Sequence, residues 1–528
     1  MALRDTIEQQ LAFLVSTDLK TLRSIPKWPP DAFAVSALLL HCSGAYISVI
    51  NSWHSANSGT WSTLCQKLGA DWRNSWNTGG PIPTRISDAW ELILKNRALL
   101  VESISKKPRL VKALILLVAA ADEASAGIGI LRSKPFKLDK FDITAFTGLY
   151  FPRNKERDSR SLCRQISASK LSVYPKLHTP KNGISIRSLT HHLALVPATE
   201  INTKWAILPW SMTEFGFNIL LLPFPLSIPS KSFQVSQRDL TSMPDDFGFF
   251  TYTRPAVKSN YVEYINRCIR AAKRSAGQIH GVILPELALT ESEVHRLARD
   301  NPSTLIIAGI ARRKAAKKQT NEAMVVLGLP YMNQAWSQPK HHRWRIDAGQ
   351  VLQYGIGGTL EVAKDWWENI DISVPRVLNF GHVNGWLTFC VLICEDLARQ
   401  DPVSHIVRAI GPNLVIGLLL DGPQLESRWS ARYATVLADD PGSAVLTLTS
   451  MGMIGLSNNQ RSNGSRSVAL WKDALANSAR EISIGENAVG TVLLLNRQLR
   501  EEWTADGRRD NVATAHITLA GTHEIVLD

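Results

Sequence analysis

The amino-acid sequence predicts an α/β protein whose N-terminal region is mostly helical. In residues 1–150, apolar residues recur three and four positions apart, which is the spacing of helices that bury one face. From about residue 205, short apolar strands alternate with helical stretches, as they do in layered α/β folds. One of these strands ends directly in Cys394, and strand ends are where α/β folds place their active sites.

Length and composition limit the class of protein. The chain has 528 residues, of which 45% are hydrophobic and 20% charged, as in a globular protein of two or more domains. Its longest apolar run, 113–121, is about half the length that spans a bilayer, and the first residues lack a signal-peptide pattern. The six cysteines form no CxxC pair, which favours a reducing compartment over disulfides or structural zinc. We therefore predict a cytoplasmic protein without membrane contact.

The net charge of +13 is unevenly distributed along the chain. Residues 1–210 hold 27 Lys and Arg against 15 Asp and Glu, whereas residues 211–528 hold 32 against 31. A basic excess confined to one region favours anionic partners, nucleic acid among them. The other interpretation is a basic surface that serves only solubility or self-assembly, because no recognised nucleic-acid-binding motif accompanies the charge.

Helix periodicity organises the first 150 residues. The predicted helices are 34–50, 87–103 and one that starts at Pro108 and ends near Gly127 or Gly129. Between the first two, residues 54–84 are rich in Gly, Ser and Asn, so we predict a loop there. This region is assigned to a helical domain at 1–150.

Residues 151–205 form a basic connector between the helical domain and an α/β domain at 206–528. The connector carries Arg, Lys and His with few acids. We interpret it either as a solvated linker or as a docking strip for a partner or nucleic acid. The α/β domain is read from its apolar runs, which predict strands at 218–228, 281–287, 304–310, 323–330, 386–394, 413–420, 443–450, 467–471 and 490–496. Helices are predicted at 260–276, 291–299 and 429–438.

Two of the predicted strands end in residues with complementary chemistry. GVILPEL ends near Glu286, and WLTFCVLIC ends in Cys394. A free thiol with a pKa near ~8.5 is mostly protonated at neutral pH, so a nucleophilic cysteine needs a base such as a carboxylate. Either residue alone is more often structural, and Cys390 in the same strand is predicted to be an inert core residue. Together they suggest a nucleophile and its base.

The order of Glu, Lys and Cys on successive strands resembles the nitrilase (carbon–nitrogen hydrolase) superfamily over roughly residues 215–500. The matching segments are LPEL, NEAMVVLGLPYMNQAWSQPKHHRWR and LICEDL. The resemblance implies an α-β-β-α sandwich and a triad of Glu286, Lys340 and Cys394. The Cys-Glu-Asp sequence looks most like the glutaminase-type branch, as in the amidase domain of glutamine-dependent NAD synthetases.

The resemblance also implies a reaction, which is hydrolysis of a small amide or nitrile. Glu286 would accept the thiol proton and later activate water, and Lys340 would stabilise the charge that develops on the substrate. The backbone N–H that follows Cys394 would be a second donor to that charge. No cofactor is implied, and family members usually form homodimers or higher homo-oligomers.

The sequence departs from the family pattern after the lysine. Many members carry a second glutamate about eight residues on, where this chain has Ala348. We expect Asp347 or Glu361 to take that role, unless it is missing; Glu395 is a further possible supporting residue. The segment between Lys340 and Cys394 is also longer than the family usually needs, and its Trp366 and Trp367 either line a substrate mouth or pack as core. The adjacent His341 and His342 point to opposite faces of an extended segment, so no metal site is predicted there.

A second hypothesis is an assembly or effector protein of a bacterial anti-phage defence system. Nitrilase-like modules accompany reverse transcriptases in some such systems, and the segments ADEASAGIGI and HTPKNGISIRSLTHHLALVP look similar to what precedes those modules. No Tyr-x-Asp-Asp turn of a reverse transcriptase is present in this chain. A nucleic-acid or reverse transcriptase partner would therefore be a separate molecule, recruited by the basic first 210 residues.

Overall fold

The structure is a computed structural model, and its helices and strands alternate as the sequence predicts. It describes residues 5–14, 24–47, 58–129, 139–151, 160–181, 183–210, 215–236, 244–255, 260–313, 319–329, 333–373, 375–383, 385–458, 464–510 and 513–527. The helices are α1 Ile7–Leu14, α2 Pro29–Ser43, α3 Ser58–Thr78, α4 Thr84–Lys95, α5 Pro108–Ala124, α6 Lys140–Tyr150, α7 Tyr261–Ala276, α8 Glu291–Asp300, α9 Ala348–Gln353, α10 Arg408–Ile410, α11 Trp429–Asp439 and α12 Met451–Asn458. The strands are β1 Leu171–Pro175, β2 Leu193–Pro197, β3 Asn202–Leu208, β4 Gly216–Leu221, β5 Phe233–Val235, β6 Phe247–Tyr252, β7 Gly281–Leu289, β8 Leu305–Arg313, β9 Gln319–Gly328, β10 Asn333–Pro339, β11 Arg345–Ile346, β12 Asp365–Glu368, β13 Val377–Val383, β14 Leu387–Ile393, β15 Leu414–Leu418, β16 Ala444–Leu448, β17 Ser467–Lys472, β18 Arg480–Ser483, β19 Ala488–Arg500 and β20 Thr514–Val526.

Two seven-stranded sheets form the centre of the molecule. Their strand orders are β10-β9-β8-β7-β4-β19-β20 and β18-β17-β16-β15-β14-β13-β3. Side chains from both sheets, such as Ile283 and Ile307 on one and Val391 and Ile416 on the other, share one buried apolar cluster. Helices α7 and α8 pack on the outer face of the first sheet, and α11 packs on the outer face of the second. The result is a four-layer α-β-β-α sandwich, which confirms the predicted fold class.

The central strands are buried on both faces, which is why they read as continuous apolar runs rather than alternating ones. All nine residues of β7 and all seven of β14 are buried. Each runs parallel to its neighbour: Ile283 pairs with Ile307 on β8, and Ile393 pairs with Leu418 on β15. Glu286 and Cys394, the two predicted reactive residues, therefore lie toward the carboxyl ends of β7 and β14.

The N-terminal region is helical as predicted, but α1, α3 and α6 were not among the predicted helices. Residues 54–84 were expected to be a loop, and that expectation is wrong, because α3 occupies most of the segment. Its abundant small polar residues conceal a buried stripe of Cys65, Leu68 and Trp72 at helical spacing. Gly69 on this stripe lies so close to α5 that a Cβ there would sit 2.6 Å from the backbone nitrogen of Ala124. The glycine therefore permits close packing of the two helices.

The predicted connector is folded rather than solvated in its described residues. Strands β1 and β2 pair as an antiparallel ribbon, and their apolar side chains join the core of the helical region. Strand β3 crosses the expected domain boundary at 205 and forms the edge of the second large sheet. The linker interpretation is therefore wrong from residue 160 onward, and residues 152–159 lie outside the described residues.

The loop between β19 and β20 returns to the helical region and anchors there. The Arg508 side chain is fully buried and lies 3.1 Å from Asp122, 2.6 Å from Glu123 and 3.1 Å from Asp506. Its guanidinium also donates to the backbone oxygens of Ala119 and Leu189. Since Asp122 and Glu123 belong to α5, these ion pairs attach the C-terminal hairpin to the helical region.

Two sequence expectations concern the chain as a whole. None of the six cysteines, all of which lie in described segments, forms a disulfide. Within the described ranges, no helix is both long enough and apolar enough to cross a bilayer.

We predict that Arg508→Ala lowers the free energy of unfolding by about 3–5 kcal/mol, because it leaves buried carboxylates without their cation. Urea denaturation of the full chain measures the change. Arg509→Ala is the matched control, since this exposed neighbour pairs with the exposed Glu501 and lies over the Trp503 ring, and it should change stability by less than about 1 kcal/mol. Equal losses in the two variants would contradict the anchoring role of Arg508.

Candidate active site

Glu286 lies where β7 departs from regular pairing. The register of β7 against β8 shifts between Leu284 and Leu289, and Leu287 adopts a left-handed backbone with φ of 54°. A Cβ at Gly309 on β8 would sit 2.4 Å from the Glu286 Cα, so only glycine allows the strands to approach this closely. The irregularity directs the Glu286 carboxylate away from the ladder and into the interior.

Lys340 follows the hairpin of β9 and β10, as the sequence predicts. Its backbone N–H donates to the backbone carbonyl oxygen of Asn321 at 2.8 Å, which fixes Lys340 just beyond the end of β10. Its Nζ donates to Glu286 Oε1 at 2.8 Å and to Glu368 Oε2 at 2.7 Å. The ammonium therefore lies between two carboxylates.

Cys394 follows the last residue of β14 and opens a 3₁₀ turn, Cys394–Ala398. Its φ of 44° lies in the left-handed region that side-chain-bearing residues seldom adopt. Strain of this kind is typical of functional positions. Lys340 contacts Glu286, and Asp396, two residues after Cys394, contacts the backbone next to Lys340, so the structure brings the three predicted residues into one region. The charges of Glu286 and Lys340 both influence the pKa of the thiol. Only 1% of Glu286, 1% of Lys340 and 2% of Cys394 is exposed to solvent.

The carboxylate that steadies the lysine is Glu368, which the sequence analysis missed. Asp347 instead caps α9 by accepting the backbone N–H of Gln350, and Glu361 is an exposed partner of Lys364. The expectation that Asp347 or Glu361 would contact the lysine is therefore corrected. Glu368 comes 28 residues after Lys340, at the end of β12, where the pairing of β12 with β6 places it over the site.

A side-chain amide links the two carboxylates. Asn321 Nδ2 donates to Glu286 Oε1 at 2.7 Å and to Glu368 Oε1 at 2.9 Å. The second oxygen of Glu286, Oε2, is buried and makes no hydrogen bond to any described residue. A buried carboxylate oxygen without a donor is unusual, and here it offers a lone pair for a proton.

Asp396 connects the turn at Cys394 to the segment that carries the lysine. Its carboxylate accepts the backbone N–H groups of His341 and His342 at 2.9–3.1 Å, and it also lies 2.9 Å from His342 Nδ1. These contacts give the His342 ring a carboxylate partner and fix the backbone that follows Lys340. Glu395 points elsewhere and pairs with Arg399, although its charge adds to the high pKa of the Cys394 thiol.

Burial sets the protonation states of the three residues. It raises the pKa of Glu286 to about 7, with the Lys340 charge opposing the shift and the Glu368 charge adding to it. Burial disfavours the Lys340 ammonium, but Glu286 and Glu368 outweigh it and raise the lysine pKa well above its usual value. Burial likewise raises the pKa of the Cys394 thiol well above its usual range, and the Glu286 charge adds to this. The resting site thus holds a thiol, an ammonium and a carboxyl group that titrates near neutrality.

The long segment between Lys340 and Cys394 contributes to a cap over the site. Strands β11 and β12 join β6 and β5 in a four-stranded sheet that has its own aromatic core. Trp366 is buried in this core, so its packing interpretation is correct, whereas Trp367 is partly exposed. Leu287, the neighbour of Glu286, belongs to the same core and joins the cap to the end of β7.

A hydrogen-bonded cluster fastens the cap beside the thiol. Tyr354, which follows α9 in the cap, donates its hydroxyl to Asp421 Oδ1 at 2.6 Å. Arg428 donates to the same oxygen at 2.6 Å, and Trp429 Nε1 donates to Asp421 Oδ2 at 2.9 Å. The Asp421 charge also acts on Cys394. The cluster therefore holds the cap against the strand ends where the thiol lies.

A surface cavity of about 860 Å³ lies apart from these residues. Phe224, Lys231, Arg254 and Tyr264 are among the residues that line it. The triad residues and Glu368 do not contribute to its walls. Cys394 is nearly fully buried and lies outside this cavity.

No family model and no curated protein matches this chain. Among solved structures, an amidase from Nesterenkonia sp. is similar at 10% identity over 54% of this chain and 91% of the amidase, with a TM-score of 0.32. Nit3 from Saccharomyces cerevisiae, a member of branch 10 of the nitrilase superfamily, is similar at 12% identity over 54% and 92%, with a TM-score of 0.33. A glutamine-dependent NAD+ synthetase from Acinetobacter baumannii is similar at 12% identity over 53% of this chain and 45% of the synthetase, with a TM-score of 0.30.

The superfamily that the sequence resembles is thus represented among the similar structures. The fold class itself rests on the strand orders and helical layers of this chain.

Proposed function

We propose that this protein hydrolyses a carbon–nitrogen bond in a small amide or nitrile through an acyl-enzyme on Cys394. The observation that carries the proposal is the unpartnered Oε2 of Glu286, buried beside a thiol and next to a paired ammonium. A base, a nucleophile and a cation in one water-poor site are what acyl transfer to sulfur requires.

Acylation of an amide begins with proton transfer from the Cys394 thiol to Glu286 Oε2. The sulfur attacks the carbonyl carbon, and the carbonyl π electrons move to oxygen as an oxyanion. Two N–H groups of the Lys340 ammonium go to Glu286 and Glu368, and we assign the third to that oxyanion. The oxyanion collapses, the carbon–nitrogen bond breaks, and Glu286 returns the proton to the departing nitrogen. Ammonia or an amine leaves, and a thioester remains.

Deacylation uses Glu286 as the base a second time, now toward water. Glu286 takes a proton from water, the hydroxide oxygen attacks the thioester carbon, and the sulfur leaves as the thiol once Glu286 returns the proton. Glu368 and Asp396 act as positioning residues, because the first holds the lysine ammonium and the second holds its backbone. Substrate entry requires the cap to open, since the thiol is buried.

Cys394→Ala should abolish ammonia release, because no other group forms the thioester. The assay follows ammonia from a panel of short aliphatic amides, nitriles and side-chain amides such as glutamine. The expected loss is at least about 10³-fold, as for removal of other covalent nucleophiles. Cys390→Ala is the matched control: Cys390 is buried in the same strand but faces the helical layer, so its loss should leave release close to wild type. Equal release by wild type and Cys394→Ala would end the proposal.

The rate should fall at acidic pH through the titration of Glu286. Because the pKa of this carboxyl is raised to about 7, the base is ionised above that pH and is lost as the pH falls below it. The expected kcat/KM therefore drops about tenfold per pH unit below pH 7. Glu368→Gln removes a charge that raises this pKa, so it should move the acid limb to lower pH as well as slow the reaction.

Glu361→Gln is the control for this profile, since Glu361 is exposed and paired with Lys364. Its acid limb should coincide with that of the wild type. An acid limb near pH 4.5 in the wild type, or a limb that Glu368→Gln leaves in place, would contradict the assigned base.

A nucleic-acid-linked role is the second candidate, and it is favoured by the basic excess of residues 1–210. We expect the full chain to bind single- or double-stranded nucleic acid at low salt, with affinity that falls steeply as salt rises. The full chain is the proper sample, because Arg508 completes the helical region. Absence of binding at low salt, measured by fluorescence anisotropy, would remove this candidate.

A further inference from the structure

A buried cluster outside the candidate active site unites three distant parts of the chain. His178 follows β1, Glu502 lies in the loop after β19, and His516 lies on β20. All three side chains are buried, and one ligand atom from each lies within 4.8 Å of the others. The proposed hydrolysis uses none of these residues.

Two of the three separations between the ligand atoms match those around one metal ion. His178 Nδ1 lies 3.3 Å from Glu502 Oε1, and His516 Nε2 lies 3.2 Å from the same oxygen. Zinc bonds to nitrogen and carboxylate oxygen are about 2.0–2.1 Å long, so two ligands of a tetrahedral ion are about 3.4 Å apart. The three ligand atoms lie within 4.8 Å of one another, so the two imidazoles would draw together on an ion.

The His516 ring lacks hydrogen-bond partners among the described residues. It is buried, yet neither of its ring nitrogens makes a hydrogen bond to a described residue. Its Nε2 approaches Glu502 without hydrogen-bond geometry, although the distance is short enough. Buried ring nitrogens nearly always have a partner, and two ligand lone pairs that converge on one ion would produce this arrangement.

The surroundings hold the carboxylate ligand in place. Glu502 Oε2 accepts the backbone N–H of Thr179 at 2.6 Å, which leaves Oε1 facing the histidines. His178 Nε2 lies 3.4 Å from the donor Asn413 Nδ2, which also donates to the Ala515 oxygen, so a metal at Nδ1 requires the protonated Nε2 to turn away from this long contact. In the metal-free alternative, His178 donates Nδ1–H to Glu502 and accepts from Asn413. That alternative satisfies His178 but leaves His516 without a hydrogen bond.

The geometry points to a divalent transition-metal site formed by His178, Glu502 and His516, with Zn²⁺ as the class of ion it fits best. Two imidazoles and one carboxylate are ligands that zinc accepts, and water completes such a three-residue set. Because the site is buried, the ion would join the segment after β1 to the C-terminal hairpin rather than meet a substrate. The inference is independent of the proposed hydrolysis.

The test measures zinc in the full-length, tag-free protein after exposure to ZnCl₂ and dialysis into metal-free buffer. Elemental analysis should find about one zinc per chain in the wild type, with a melting temperature that falls on chelation. His516→Gln should lose this zinc. His523→Gln is the matched control, because His523 is exposed on the same strand, and it should keep the ion. Wild-type protein with no more zinc than His516→Gln would overturn the site and leave the hydrogen-bonded alternative.

A second pair of measurements tests the site even if His516→Gln fails to fold. Cys394→Ala should retain the full zinc content, and Co²⁺-loaded wild type should show the visible bands of tetrahedral nitrogen and oxygen ligation without a thiolate charge-transfer band. Loss of zinc in Cys394→Ala, or a thiolate band in the cobalt protein, would place the ion on a cysteine and overturn the assignment. Neither readout depends on hydrolytic activity.

Discussion

The buried ammonium of Lys340 is the interaction on which the site depends. An isolated charge in a protein interior is strongly unfavourable, so this lysine requires the two carboxylates that contact it. Those carboxylates come from different layers, Glu286 from the first large sheet and Glu368 from the cap. The ion pairs therefore hold the cap to the sandwich and, together with burial, influence the pKa of Glu286, the proposed base. The cluster of Lys340, Glu286 and Glu368 therefore contributes both to stability and to the proposed chemistry.

The position of Cys394 follows from the same constraint. Its strand, β14, runs parallel to β15 and is buried on both faces, so the chain presents polar groups where the strand ends. Asp396 holds the turn there by accepting the backbone N–H groups of His341 and His342, which follow the lysine. The thiol thereby lies in the same buried region as Glu286, and its high pKa makes proton transfer to Glu286 a necessary part of the proposed reaction.

Much of the sandwich could be predicted because doubly buried strands and amphipathic helices leave strong patterns. Lys340 and Cys394 directly follow β10 and β14, and Glu286 lies where β7 departs from regular pairing. Glu368 could not be predicted, since its position depends on how a short strand in a long insertion pairs with β6. Helix α3 was hidden because small polar residues dilute its buried stripe. The connector was mistaken for a linker because buried Lys176 and His178 look like surface residues until their partners are known.

The most direct test of the central claim is the mass of the Cys394 peptide after brief reaction with 4-nitrophenyl acetate and acid quench. Glu286→Gln protein lacks the base that takes the thiol proton, so it is the control that should form the intermediate far more slowly. We predict one acetyl group on Cys394 in wild-type protein, much less on Cys394 of Glu286→Gln protein, and none at this position in Cys394→Ala. Acetylation confined to other residues, or no acetylation in a folded protein, would contradict the assignment of Cys394 as the nucleophile.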